Sequence, residues 1–598
     1  MPTPDLGANL VAMFQQSAAW GGDAPFLWAK RGGVYTPWSW RRVAEEAAGL
    51  ARCLAAMGVE PGDRVMLVSE NRPEWCITDL AVMMAGAITV PVYTTNTVED
   101  HAYLLSHCEA KAVVCSGPQL AKRLLPALKQ APGARLAVFM EEPGEPVPIP
   151  MLGWGEALTR GAQSPPVDHG STLRADDLAC FIYTSGTGGR PKGVMLSHGN
   201  LLANIHGAWH LLEAVGLGDD VFLSFLPLSH SYEHTAGQFL PIAMGAQIYY
   251  AEGVETLSTN LTEARPTILT CVPRLYEVMR YKITAAIDRQ GGLAARLFHL
   301  AVALGERRVR EGSLPPHLRL VDAMLDRTVR RKVAQRFGGR LKAMVSGGAP
   351  LNPDVGRFFQ ALGLPVLQGY GQTEAAPVIS VNVPGKAKIE TVGPPLEGVE
   401  VKIASDGEIL VRGELVMRGY WKDPEATAQA LQKGWLHTGD IGEIDTDGYI
   451  KITDRKKDII VNSGGDNIAP ARVEGILLLE PEIGQVLVFG DRRPHLVALI
   501  VPHQEFVKQF ARAHGKRAEL EALADDPAFR AAINEAVARA NRRLSPIERV
   551  RRFHIMPEPF SIENGLLTPT MKLRRHLIVK AYKDLLEALY ASGKGVAA

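Results

Sequence analysis

At 598 residues the chain is far longer than the roughly 100–200 residues of one packed unit, so several domains are expected. Apolar residues make up 46% and charged residues 22%, the profile of an ordinary soluble globular protein. Lys plus Arg (65) nearly cancels Asp plus Glu (64), so no global field favours a nucleic-acid partner, and an anionic ligand must be held by local charges. The six cysteines, Cys53, Cys76, Cys108, Cys115, Cys180 and Cys271, form no CxxC pair. That argues against a metal or disulfide framework and for a reducing compartment. "MPTPDLGANLVAMFQQ" lacks a basic segment followed by an apolar one, so no signal peptide is expected.

In chain order, "RRVAEEAAGLARCLAAMG" (41–58) has helical apolar spacing and a glycine stop. The stretches 63–70, 111–116, 135–140 and 178–185 read as strands. "LAVMMAGAITVPV" (80–92) is the most membrane-like segment but is short of the about 20 residues a span needs. It reads as a buried helix running into a strand. The alternation predicts α/β layers with much parallel sheet, and residues 174–367 repeat the theme as a second, similar lobe. "FIYTSGTGGRPKGV" (181–194) predicts a strand, a glycine-rich loop and then a helix near 197–205. Backbone N–H groups, hydroxyls and Lys192 converging there suit a polyphosphate. The kinase-type loop GxxxxGK[ST] fails, because Pro191 and Gly193 stand at two of its fixed positions.

After 434–440 the pattern changes to short alternating strands. "IGEIDTDGYIKITD" (441–454) predicts a hairpin turning at Asp447-Gly448. It also matches half a calcium loop, but the closing glutamate position holds Lys456, so the hairpin is kept. Beyond "DRKKD" (454–458) comes a smaller α+β unit, helical over 505–544.

"YTSGTGGRPKGV" resembles the phosphate loop of the adenylate-forming enzymes, which comprise acyl-CoA synthetases, luciferases and peptide-synthetase adenylation domains. Further motifs of that family occur in order: "SGGAPL" (346–351), "QGYGQTE" (368–374), "GWLHTGD" (434–440), "DRKKDIIVNSGGDNIAP" (454–470) and "NGLLTPTMKLRR" (564–575). The resemblance covers essentially the whole chain. It implies an AMP-binding N-terminal domain of layered α/β lobes plus a small β-barrel-like region (1–453), and a mobile α+β C-terminal domain (454–598) hinged at Asp454. It also implies that ATP is bound by Thr184, Ser185, Gly186, Thr187, Gly188 and Lys192, with Gly348, Ala349, Pro350, Gln368, Gly369, Tyr370, Gly371 and Thr373 around the adenine. Tyr370, between two glycines, has room to lay its ring against the base. Asp440, in a ribose-binding turn, would accept from the ribose hydroxyls, and Arg455 and Lys457 would approach when the domains close. Glu374 would ligate Mg²⁺ with Thr184 as hydroxyl partner, and Lys572 would bridge the carboxylate substrate and the α-phosphate. Gly464 and Gly465 would serve the thioester step.

"FLPLSHSYEHTAGQFLPIAMGAQIYY" (225–250) resembles the acyl-site segment of long-chain fatty acyl-CoA synthetases, usually PLxHxFE, with His230, Tyr232 and Glu233 at its positions. The implied reaction activates a long-chain fatty acid to acyl-AMP and transfers it to coenzyme A, releasing AMP and pyrophosphate, with His230 among the catalytic groups. Rival readings are adenylation of an aryl or medium-chain acid, a carrier protein as acceptor, and an inert binding relative. The sequence departs from the family at Gly188 (usually Thr), Tyr232 (usually Phe) and Asp466 (often Lys). Basic runs at 307–310, 327–332 and 549–552 read as solvated helix faces, with weak peripheral contact at the inner face of the membrane as a further expectation for an otherwise cytoplasmic enzyme.

Overall fold

The computed structural model describes residues 6–167, 169–184, 190–253, 255–568 and 571–591. Two eight-stranded sheets form the large part of the molecule. In one, Arg64–Val68, Ile88–Val92, Ala110–Cys115 and Leu136–Phe139 run parallel, and Leu178–Thr184 joins parallel to Ile88–Val92. Their side chains are buried on both faces, as expected for strands covered by helices on each side. In the other, Gln247–Tyr250, Val221–Ser224, Ile268–Cys271, Ala343–Ser346 and Val366–Gly371 run parallel, closed on one edge by antiparallel Val378–Val381.

The helix over 41–58 forms as Trp40–Ala56. The Ser39 hydroxyl accepts from Arg42 N, Val43, Ala47, Leu50 and Leu54 point inward, and Gly58 exits with φ +87°. The membrane-like stretch is indeed a buried helix, Pro73–Met84, turning through Gly86 into Ile88–Val92. Both elements obey the periodicity. The lobe boundary does not. The hairpin Pro25–Arg31/Val34–Ser39 supplies the edge of the second sheet, while Leu178–Thr184 and Lys192–Ser197 complete the first. The two lobes exchange edge elements, which a linear reading of 174–367 as one lobe could not anticipate. A continuous apolar core runs between them, anchored by Trp75 and by Phe26 stacked 3.6 Å from Trp40.

The small β-region is a five-stranded antiparallel sheet containing Trp435–Ile444 and Ile450–Arg455. The predicted hairpin is present, with Gly448 at φ +82°. Asp445 and Asp447 both receive the Lys388 ammonium, at 2.6 and 2.7 Å, which accounts for the calcium-like spacing without a metal. The last part of the chain packs a three-stranded sheet, Ile483–Phe489, Leu496–Pro502 and Val550–Ile555, under helices. The predicted helical stretch 505–544 is broken into Gln504–Ala513, Leu520–Leu523 and Pro527–Asn541. Gly515 (φ +62°) and the Asp526 cap with Pro527 at the next helix start interrupt it.

Run 307–310 lies on the helix Gly292–Glu311 as expected, and the other two basic runs are corrected. In the last of them Val550 begins a strand, Val550–Ile555, and Arg552 donates to Leu589 O at 2.6 Å. Arg330 in the 327–332 run is buried, clamping Asp322, Asp326 and the carbonyls of Ala301 and Ala361. It is structural, not a solvated charge. All six cysteines are buried free thiols.

Candidate active site

Ser185, Gly186, Thr187 and Gly188 lie outside the described residues, as does Gly189; Thr184 before them and Arg190 after them are described. Thr184 pairs antiparallel with Lys192, and a strand, Lys192–Ser197, precedes the helix His198–Glu213. The expected direct step from loop to helix is therefore wrong. Ser197 and Asn200 cap that helix reciprocally, and both are buried, so its N-terminal N–H groups are consumed locally.

Lys192 stands 3.6 Å from Asp423 and over the Tyr420 ring at 4.9 Å. Tyr420 donates its hydroxyl to Glu374 Oε1 at 2.8 Å, while Glu374 O accepts from Met417 N. The short strand Gly419–Tyr420 pairs with Met195 and Val194, next to the loop. Tyr420 thus joins the loop lysine to the carboxylate, and the sequence reading missed it. The available signal was "RGYWKD", a glycine and two aromatics between charged residues. Burial and the Glu374 carboxylate push the Tyr420 phenol well up, so it stays a donor. On the other side of Glu374, the Thr373 hydroxyl meets Ser231 at 2.9 Å.

Tyr370, Asp440 and Arg455 converge. Tyr370 donates to Asp440 Oδ2 at 2.7 Å and Arg455 Nε donates to Oδ1 at 3.1 Å. Asp440 is 3% exposed. It lies inside a ten-residue strand, not in a turn. The register against Glu408–Arg412 shifts here, with Gly439 at φ +71°, forming a bulge that re-aims the Asp440 side chain. The glycines beside Tyr370 have a different purpose from making room for its ring. A Cβ on Gly371 would fall 1.9 Å from Pro377 O, and one on Gly369 3.2 Å from Val381 Cγ2. They admit the neighbouring strand Val378–Val381. Gln368 is held as the carboxamide partner of Leu351 N and Ile389 O, which ties "QGYG" to the segment carrying Gly348, Ala349 and Pro350.

Lys572 reaches this cluster from the far end of the chain. Its Nζ is 4.0 Å from where a Cβ on Gly348 would sit, and Gly348 is itself at φ +81°. Burial, then the positive charge of Arg455, lower its ammonium to about 8, partly opposed by Asp440. Thr568 fixes its backbone, accepting from Lys572 N through Oγ1 at 3.0 Å and donating to Lys572 O at 2.8 Å. His230 is depressed to about 3 by burial and by Lys572, so it is neutral at physiological pH. Tyr232 N donates to its Nδ1 at 3.2 Å, placing the proton on Nε2. The imidazole is therefore a neutral donor rather than an acid.

The other acyl-segment residues are sequestered. The Tyr232 hydroxyl, where Phe is usual, donates to Val345 O at 2.9 Å. Glu233 is fully buried and accepts from Thr270 at 2.7 Å, and burial pushes its carboxyl up to about 7. Asp454 pairs in the sheet with Ile441; its Oδ1 accepts from Arg455 N at 2.6 Å, and burial raises it to about 6. In the 462–466 loop Asn462 Oδ1 accepts from Gly464 N and Asp466 N at 2.9 Å, and Gly465 has φ +86°. Asp466 Oδ2 accepts from Asn462, so part of its charge is answered locally. Lys457 lies two residues beyond Arg455, in the turn that leaves the strand.

The family described as AMP-binding enzyme matches residues 14–421, and AMP-binding enzyme C-terminal domain matches 457–594. The chain is 35% identical to long-chain-fatty-acid–CoA ligase FadD15 of Mycobacterium bovis over 93% of each chain. It is 34% identical to the peroxisomal long chain acyl-CoA synthetase 7 of Arabidopsis thaliana, over 94% of this chain and 82% of that one. Among solved structures, the A-PCP didomain of a Segniliparus rugosus carboxylic acid reductase in complex with AMP superposes with a TM-score of 0.79 at 22% identity, over 98% of this chain and 82% of that one. A benzoate CoA ligase from Burkholderia xenovorans gives 0.70 at 22% identity, over 95% and 99%. With both family models matched along its length and the ligases above sharing about a third of its residues, the chain belongs to the AMP-binding enzyme family, in its long-chain-fatty-acid–CoA ligase branch.

Proposed function

We propose that the protein is an AMP-forming long-chain fatty acid–CoA ligase in which Lys572 serves the first half-reaction. A carboxylate is a poor electrophile; attack on the α-phosphate of ATP turns it into a mixed anhydride and expels pyrophosphate, after which the thiol of coenzyme A displaces AMP. The observation that carries this reading is the position of Lys572 against Gly348, close enough to Arg455 and Asp440 to feel their charges and to His230 for its own charge to be felt there. In this arrangement Asp440 takes the ribose, Lys192 and the Thr184 flank take the triphosphate, and His230 Nε2–H orients the substrate carboxylate. Pyrophosphate release measured with palmitate, octanoate and cinnamate in turn tests the reading. Release with palmitate alone or best supports it, release with cinnamate alone favours an aryl acid, and none with any overturns it.

Glu374 and Thr184 are a carboxylate and a hydroxyl, hard oxygen donors suited to Mg²⁺. Tyr420 occupies only Oε1 of Glu374, which keeps Oε2 for the cation. When bound, Mg²⁺ would neutralise charge on the triphosphate. Glu374→Gln is expected to raise the Mg²⁺ concentration for half-maximal pyrophosphate release at least tenfold; an unchanged Mg²⁺ dependence removes Glu374 from the site.

The division at Asp454 fits a chain that leaves the sheet there with a carboxyl oxygen lacking a partner among the described residues. Among the described residues no helix is long and apolar enough to cross a membrane. Peripheral contact is supported instead by Leu293, Leu300, Leu320 and Met324, exposed on the adjoining helices Gly292–Glu311 and Pro316–Leu325 beside exposed Arg296, Arg310 and Arg327. In a flotation assay, Leu293→Ser with Leu320→Ser should reduce recovery on anionic vesicles severalfold; equal recovery of the parent chain with vesicles and in buffer sinks the idea.

A further inference from the structure

The helix His198–Glu213 carries its buried face into the core, and its outer face holds a group of side chains that the ligase reaction does not use. His206 and His210 are one turn apart, with ring centroids 4.6 Å apart at 80°. Glu397, from the loop after Leu396, comes to the same place. One ligand atom from each of the three lies within 4.8 Å of the others, and His210 Nε2 is 3.6 Å from Glu397 Oε2. The loop can sit so close because residue 207 is glycine. A Cβ there would stand 2.9 Å from Leu396 Cβ and 3.3 Å from Glu397 O.

The imidazole of His210 is also oriented from behind. Its Nδ1 faces Glu213 Oε2 at 3.3 Å, while the other oxygen of Glu213 accepts from the indole N–H of the buried Trp209 at 3.2 Å. A carboxylate holding Nδ1–H leaves the Nε2 lone pair directed at Glu397. This carboxylate–histidine relay is how metal-ligating histidines are normally fixed in tautomer and direction.

We propose that His206, His210 and Glu397 form a binding site for a borderline divalent metal ion, with Zn²⁺ as the best-fitting case and Co²⁺ or Ni²⁺ as substitutes. Two imidazoles at helical i, i+4 spacing and one carboxylate are a known three-ligand set for Zn²⁺. In a tetrahedral site with bonds of about 2.0–2.1 Å the ligand atoms stand about 3.3 Å apart. The His210–Glu397 pair is near that already, and a rotamer adjustment of the half-buried His206 closes the rest. The fourth position is left to water. Nitrogen ligands exclude Mg²⁺ as the natural occupant, so the site is chemically separate from the cation of the ligase reaction. Its occupant would staple the helix to the 395–398 segment. Leu211 and Leu396 pack with Tyr232 in one apolar cluster on the inner side of that staple.

The test is titration of chelator-stripped full-length protein with Zn²⁺ by calorimetry and with Co²⁺ by its visible absorption, in the presence of millimolar Mg²⁺. One equivalent should bind at micromolar or lower concentration without competition from Mg²⁺. His206→Ala, His210→Ala and Glu397→Gln should each weaken binding at least tenfold, and Glu213→Gln by about 10-fold, the usual cost of losing the group behind a ligating histidine. Zn²⁺ should raise the melting temperature of the parent chain and not that of the His206→Ala variant, whose fold is checked by circular dichroism. The absence of a one-equivalent event, or an event unchanged in both His206→Ala and Glu397→Gln, overturns the proposal.

Discussion

Lys572→Ala is expected to cut acyl-adenylate formation by about 10²–10³-fold, the usual loss when one preorganised donor to developing negative charge is removed. Thioester formation from supplied acyl-AMP and coenzyme A should stay within a few-fold of the parent rate. The split comes from position. The Nζ sits beside Gly348, whereas its backbone is held in the C-terminal segment by Thr568, so the lysine stays against Gly348 only while these two parts of the chain are juxtaposed as here. An equal loss in both half-reactions would mean that Lys572 holds the fold or the nucleotide rather than the transition state.

The same residue sets a pH limb. Burial and Arg455 bring the Lys572 ammonium down to about 8, so the charged form is complete below that pH and is lost as pH rises through it. The kcat/KM of adenylate formation should therefore fall above about pH 8. In kcat the limb should appear at higher pH, because bound triphosphate favours the ammonium. Stability moves the opposite way. Between about 8 and the ordinary lysine value of 10.5 the unfolded chain binds the extra proton, so this group makes the native state relatively more stable as pH rises. An activity loss above pH 8 that is accompanied by unfolding would need another cause, and a falling limb that persists unchanged in Lys572→Ala would deny the assignment.

Much of the site is legible in the sequence because its motifs are local. The glycine-rich segment, "QGYGQTE" and the lysine segment each announce themselves within a dozen residues. What escaped was contact between distant segments. Tyr420 meets Glu374 only because Gly419–Tyr420 pairs with a strand more than 200 positions earlier. The roles of Gly369 and Gly371 were misread for the same reason, since the strand they accommodate is invisible in a linear pattern. Alternation predicts the layered α/β architecture correctly, but pattern has no information on which sheet an edge hairpin such as Pro25–Ser39 joins, and so none on the exchange of edges between the lobes. Charge runs were the weakest guide: Arg330 reads as one of several exposed cations and is buried among two aspartates and two carbonyls.

Asp440→Asn should raise the KM for ATP about 10²-fold, with a smaller effect on the KM for the fatty acid. Asp440 is nearly inaccessible, yet it already receives two donors, the Tyr370 phenol and Arg455 Nε. Each hydrogen bond to a charged group contributes about 1.5–3 kcal/mol, so if Asp440 accepts from the ribose hydroxyls as proposed, losing two such bonds at the low end of that range gives about 10²-fold. The amide replaces an acceptor by a donor and leaves the Arg455 guanidinium without its countercharge. A structural role would look different, and Tyr370→Phe separates the two. That variant deletes one donor to Asp440 while preserving the carboxylate, so ribose binding should lose only a few-fold in KM even if the melting temperature falls. Should Tyr370→Phe match Asp440→Asn in KM, the phenol and not the carboxylate carries the nucleotide contact. Should Asp440→Asn lower the melting temperature with KM for ATP unchanged, Asp440 is a strut between the strand Trp435–Ile444 and Arg455, and the ribose must be held elsewhere.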